Sequence, residues 1–140
     1  VIIIDTGPLV ALINSSDRHH LWARSTVRQI SEPMLTCDAV LSEALFLVSG
    51  SKNGISRFTD ILASGAIHSD FATDSNIREL AFLIGKYNTL PMSFADACLV
   101  RLSEIHEGAT VLTIDSHFSD IQKKWRRTDS VDHAKLDCSN

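Results

Sequence analysis

Four carboxylates in this chain stand where a carboxylate is either costly or conspicuous. Asp5 follows four consecutive Val and Ile residues at 1–4 and is followed at once by Thr6, Gly7 and Pro8. Asp115 closes a second apolar run, ATVLTI at 109–114. Glu43 lies inside AVLSEALFLV, where the surrounding side chains favour the core, and Asp96 lies one turn into SFADACLV. An unpaired carboxylate in such surroundings is expensive. Each acid must therefore find an Arg, Lys or backbone partner, or the four must converge on a cation. Two carboxylates at the ends of neighbouring strands, about 4.8 Å apart, repel and push a proton onto one of them unless a cation intervenes. A simpler account exists for each acid alone: Asp96 in a capping box with Ser93, Glu43 on the surface of its helix, Asp115 in a turn. Together, and without a strongly basic core partner, the four favour a hard divalent ion. Carboxylate oxygens suit Mg²⁺ or Mn²⁺, whereas zinc prefers His or Cys.

The elements that must position these acids follow from periodicity. Residues 1–4 read as a strand buried on both faces, and Pro8 suits the first turn of a short helix reaching about Asn14. An amphipathic helix is expected over about Asp17 to Ser31, capped by Asp17 and broken by Glu32-Pro33. MLTC at 34–37 is a second short strand, after which Asp38 caps the helix that carries Glu43. A further helix runs from about Ile55 to Ala63 and stops near Gly65. AIHSDF at 66–71 is a third, partly polar strand. The stretch TDSNIRELAFLIGKYN is a helix with Thr73 or Asp74 as its cap. Ser93 and Asp96 have the spacing of an N-terminal capping box, opening a helix to about Ile105. Residues 109–114 are the fourth strand, and a last helix is expected over Phe118 to Trp125. Alternation of this kind implies βαβ units and a parallel sheet covered by helices, with ligands bound at the carboxyl ends of the strands.

Composition narrows the class further. The chain has 140 residues, enough for one domain with a sizeable core, and 44% of them are hydrophobic. No apolar run is long enough to span a bilayer, and the N-terminus has no basic region like that of a secretory signal. These features point to a cytoplasmic protein without membrane contact; the start on Val1 leaves the first residues open. Three cysteines, Cys37, Cys98 and Cys138, are an odd number without C-x-x-C spacing, which argues against a disulfide framework or a zinc site. Cys37 and Cys98 read as small buried hydrophobes. A formal charge of −4 disfavours general nucleic-acid binding, although local basic clusters exist at Lys123, Lys124, Arg126 and Arg127 and, more loosely, at Arg18, Arg24 and Arg28. Of the six histidines, His19, His20 and His117 lie near candidate elements and read as rim or capping groups. A histidine-based ribonuclease needs two converging imidazoles and a Lys, and the sequence offers no such arrangement.

The stretches IIIDTGPLVAL at 2–12, SEALFLV at 42–48, SFADACLV at 93–100 and LTIDSHF at 112–118 together resemble the PIN domain, and within it the VapC-type toxins of toxin–antitoxin pairs. Each stretch is weak alone; their order and spacing are specific and cover essentially the whole chain. The resemblance implies a three-layer α/β/α fold with a central parallel sheet of four to five strands, spanning 1–127, followed by a weakly ordered or edge-packed tail at 128–140. It implies a metal-binding and catalytic cluster of Asp5, Glu43, Asp96 and Asp115 holding Mg²⁺ or Mn²⁺, supported by Thr6, Thr113 and Ser93. The activity implied is endoribonuclease cleavage by water, leaving 5′-phosphate and 3′-hydroxyl ends, with Asp96 or Asp115 orienting or deprotonating that water. Arg18, Lys52, Lys123 and Lys124 are candidates for flanking RNA phosphates. A homodimer and a small antitoxin are the implied partners. The string IIIDTG also resembles a phosphate loop of actin-like ATPases, but no second Gly-rich loop follows. Haloacid-dehalogenase-type phosphatases require a second Asp where Gly7 stands. The remaining alternative is a PIN domain that binds RNA or protein without cutting; degenerate members usually lose an acid, and this chain keeps all four.

Overall fold

A computed structural model describes residues 1–86 and 92–115. Four three-residue strands form one sheet: β1 (Ile2–Ile4), β2 (Met34–Thr36), β3 (Ile67–Ser69) and β4 (Thr110–Leu112). All pairings are parallel, in the order β3-β2-β1-β4. The expected parallel sheet of four to five strands is therefore present, with four strands among the described residues. β1 sits between β2 and β4, so both of its edges are hydrogen-bonded and its Ile3 and Ile4 are fully buried. That explains a run of β-branched residues with no polar alternation.

Among the described residues six α-helices cover the sheet: α1 (Thr6–Ile13), α2 (His20–Arg28), α3 (Asp38–Val48), α4 (Gly54–Ala63), α5 (Ile77–Lys86) and α6 (Phe94–Ile105). The core joins Ile3, Ile4 and Met34 of the sheet to Leu9 of α1, Val40 and Val48 of α3, Leu80 and Leu83 of α5 and Leu99 and Leu102 of α6. The turn between α3 and α4 needs a residue without Cβ. A Cβ on Gly54 would stand 1.9 Å from the Val48 carbonyl oxygen, so any other residue there forces the turn open.

Several elements differ from their sequence-based bounds. α2 begins at His20 because Asp17 forms a local turn: its Oδ1 accepts from the His19 amide at 2.8 Å, and its carbonyl accepts from the His20 amide at 3.0 Å. The cap is His19, not Asp17, and α2 tails off through i to i+3 bonds after Arg28. Asp38 is the first residue of α3 and not its cap; Cys37 occupies that position without a side-chain bond. The Asp38 carboxylate accepts instead from the Ser69 hydroxyl, across on β3. The helix expected from 73 begins as a 3₁₀ turn at Asp74–Asn76 and continues as α5, and Thr73 makes no capping bond. Cys37 and Cys98 are buried and unbridged, which agrees with their reading as core residues. The expected helix at 118–125 and the tail boundary at 128 lie outside the described residues.

Candidate active site

Two strands and two helices bring the four acids to the carboxyl ends of β1 and β4. Asp5 follows β1 and caps α1: its Oδ1 accepts from the Thr6 amide at 2.6 Å. Its backbone is held on both sides, since its amide donates to the Leu112 carbonyl at 3.0 Å and the preceding Ile4 carbonyl accepts from the Thr36 hydroxyl at 2.9 Å. The residue is only 7% exposed. Its second oxygen, Oδ2, accepts from the Thr113 hydroxyl at 2.9 Å.

The β1–β4 register explains that last bond. Ile4 pairs with Leu112, which sets Asp5 level with Thr113. Asp115 therefore does not follow its strand directly, as the run at 109–114 suggests. β4 ends at Leu112, and the Thr113 hydroxyl accepts from the Asp115 amide at 3.0 Å. One hydroxyl thus orients the carboxylate of Asp5 and the backbone of Asp115. Ile114, between them, packs against Gly7, within 3.6 Å of the position a Cβ there would take.

Glu43 enters from α3. Thr6 links it to Asp5: the Thr6 amide serves Asp5, and the Thr6 hydroxyl donates to Glu43 Oε2 at 2.9 Å. The apolar surroundings that the sequence suggests for Glu43 are not found. α3 buries the stripe Val40, Ala44 and Val48 and turns Glu43, Phe46 and Leu47 outward. Asp96 enters from α6 in a complete capping box: its Oδ2 accepts from the Ser93 amide at 3.1 Å, and its amide donates to Ser93 Oγ at 3.0 Å. The capping account of Asp96 is therefore correct as structure, and it leaves lone pairs of a partly exposed carboxylate open to a further ligand.

The electrostatics centre on Asp5, whose partners among the described residues carry no formal positive charge. Burial pushes the Asp5 carboxyl above its ordinary range. The amide of Thr6 and the hydroxyl of Thr113 pull it down, and the charges of Asp96 and Asp115 push it up again. Among the described residues no Lys or Arg is paired with Asp5, Glu43 or Asp96. Nor do three His, Cys, Asp or Glu side chains there come close enough to enclose an ion as they stand. Mg²⁺ does not need such a cage, because it keeps several waters and takes one or two carboxylates directly. The all-oxygen donor set, the raised Asp5 and its unfilled lone pairs fit a hard divalent ion.

A family model of the PIN domain matches residues 2–124. The chain belongs to the PIN domain family. Ribonuclease VapC26 of Mycobacterium tuberculosis is 26% identical over 121 residues, covering 84% of this chain and 89% of that relative. The crystal structure of Mycobacterium tuberculosis VapC20, described as a Sarcin-Ricin loop cleaving toxin, superposes with a TM-score of 0.73 at 21% identity, over 86% of this chain and 94% of that one. The likeness to VapC20 supports the PIN-like fold expected from the sequence. Within this PIN domain, Asp5, Thr6, Glu43 and Thr113 form one hydrogen-bonded group, Asp96 and Asp115 act on Asp5 through space, and Ser93 holds Asp96. Arg18 and Lys52 are exposed and share no hydrogen bond or ion pair with that group; the Arg18 Nε donates to His19 Nε2 at 3.0 Å. Lys123 and Lys124 lie outside the described residues. Sequence reasoning missed that Thr113 serves two acids at once, which only the strand register reveals.

Proposed function

We propose that this PIN domain is a metal-dependent endoribonuclease of the VapC type. The observation that carries the reading is the buried, destabilised Asp5 at the end of β1 with three further acids around it, its own carboxylate and that of Glu43 held by the hydroxyls of Thr113 and Thr6. A relative named as a ribonuclease supports the reading for RNA.

Asp5 and Glu43 would bind Mg²⁺ or Mn²⁺, with Asp96 and Asp115 as direct or water-bridged ligands. A bound divalent ion supplies charge neutralisation on the phosphoryl oxygens and acidification of water. Thr6 and Thr113 fix the carboxylate orientations. Asp96 or Asp115 would accept the proton from the attacking water. Water and not the ribose 2′-hydroxyl is the nucleophile, so the products carry 5′-phosphate and 3′-hydroxyl ends.

The same reading makes the protein cytoplasmic, homodimeric and paired with a small antitoxin. No helix among the described residues is long and apolar enough to cross a membrane. Leu45, Phe46 and Leu47 are consecutive and exposed, Phe46 to 79%, which supports a protein partner on α3. The test is cleavage of a mixed RNA pool with Mn²⁺, with Mg²⁺ and with EDTA, beside the Asp96→Asn variant. Metal-dependent cutting that is lost in the variant supports the four-acid site. Binding of RNA by both proteins without cutting by either refutes the nuclease reading and leaves an RNA-binding PIN domain.

A further inference from the structure

Two arginines and a histidine from two helices converge at the end of α1 remote from the acids. A cavity of about 390 Å³ there is lined by Leu12 and Ser15, by His20 and Arg24 of α2 and by Arg57 of α4. No carboxylate among the described residues lines it. α1 runs from Thr6 beside Asp5 to Ile13 beside this cavity. At about 1.5 Å per residue the two ends are about 12 Å apart, a distance that a few nucleotides of single-stranded RNA span.

Part of this arrangement is structural. His20 Nδ1 lies 2.7 Å from the Ala11 carbonyl, and Arg57 donates to the Ile13 carbonyl at 3.2 Å. α1 has no basic residue in its own last turn, so these two side chains satisfy its terminal carbonyls, and the Arg57 charge complements its dipole. Capping does not use up the site. A carbonyl only accepts, so the His20 Nδ1 carries the hydrogen and its other nitrogen remains. Arg57 has further N–H groups beyond the one bond. Arg24 makes no hydrogen bond or ion pair with any described residue, and capping gives it no task.

We propose that the cavity between Arg24, Arg57 and His20 is a phosphate subsite that holds the RNA backbone a few nucleotides from the scissile bond. The proposal rests on the ribonuclease reading above. It also accounts for how a chain of net charge −4 holds a polyanion: the acids take the metal, and a separate cationic cavity takes a distant phosphate. Arg24 and Arg57 present planar forks suited to phosphate oxygens, and Ser15 adds a hydroxyl donor.

The test compares the full-length wild type with Arg24→Ala and Arg24→Lys on RNA substrates of about 3 and about 12 nucleotides sharing one cleavage sequence, with Mn²⁺ present. Arg24 is exposed and unbonded, so both variants fold. The expected result is a KM raised about five- to tenfold for Arg24→Ala on the longer RNA only, with kcat unchanged and partial recovery in Arg24→Lys. The slope of log affinity against log salt for the longer RNA should shrink by about 0.7, one phosphate contact on a single strand. Equal KM values for wild type and Arg24→Ala on both lengths, with wild-type cutting intact, overturn the subsite and leave the ribonuclease reading standing. Failure of the wild type to cut or bind either RNA overturns both.

Discussion

Thr113→Val keeps the shape of the side chain and removes the hydroxyl that serves both Asp5 and Asp115. The bond to Asp5 is charge-assisted and its acceptor is only 7% exposed; hydrogen bonds to charged groups contribute about 1.5–3 kcal/mol net. The Asp115 amide is at an exposed residue and recovers water, so its loss adds little. A cost of about 2 kcal/mol follows, which for a chain of this length lowers Tm by about 7 °C. The assay is urea and thermal unfolding in EDTA at pH 7, repeated in the Asp5→Asn background. There the acceptor is neutral and the same bond is worth only about 1 kcal/mol, so a coupling of about 1 kcal/mol is expected in the cycle. Activity should fall about 10- to 100-fold, as for other groups that orient a metal ligand. A Thr113→Val cost that is the same in both backgrounds, within about 0.3 kcal/mol, would refute the claim that the hydroxyl supports the Asp5 charge.

Three further outcomes follow from the same geometry. Asp5 has a folded-state pKa above its ordinary value, so protonation favours the folded state and wild-type stability falls as pH rises from the unfolded value through the folded one. Asp5→Asn removes that penalty; in EDTA its Tm should exceed the wild type's at pH 7, with the gap closing on acidification below pH about 4, and Mn²⁺ should raise Tm in the wild type only. A variant less stable than wild type at pH 7 would contradict the sign. Glu43→Gln at an exposed position should abolish cleavage while moving Tm by no more than about 2 °C; retained cleavage would remove Glu43 from the site. Ser93→Ala breaks the capping box of α6 and should cost about 1 kcal/mol, read as a Tm lower by about 3–4 °C, with Ser93→Thr restoring most of it.

How far the sequence reveals this site depends on the range of the interactions. The Asp5 junction and the Ser93–Asp96 box are legible because capping, Pro at the start of a helix and apolar runs are local signals. Asp17 and Asp38 look like caps of the same kind and are not, because each carboxylate has a competing partner nearby: the His19 amide for Asp17, the Ser69 hydroxyl for Asp38. The exposure of Glu43 is illegible for another reason. AVLSEALFLV is apolar nearly all round, and only the packing of α3 on α1, α4 and α6 decides that Val40, Ala44 and Val48 face inward. Thr113 depends on a register between strands more than a hundred residues apart in sequence, which periodicity cannot supply.

The four acids also show how a fold keeps a negative site without filling it. A Lys or Arg beside Asp5 would repay the cost of its burial and would occupy the place of a metal. The chain uses helix starts instead. Asp5 caps α1, and Asp96 is the third residue of α6 in a capping box. The N-terminal amides carry partial positive charge, worth roughly 0.3–1 kcal/mol to a nearby anion, too little to neutralise it. The hydroxyls of Thr6 and Thr113 orient lone pairs and add no formal charge. What results, among the described residues, is an Asp5 and a Glu43 fixed in direction without a cationic partner, with Asp5 still destabilised in its ionised form. Such a site gains most from a divalent cation and least from a monovalent one. The Mn²⁺-dependent rise in Tm should therefore persist in a monovalent-salt excess that screens the surface Arg and Lys residues.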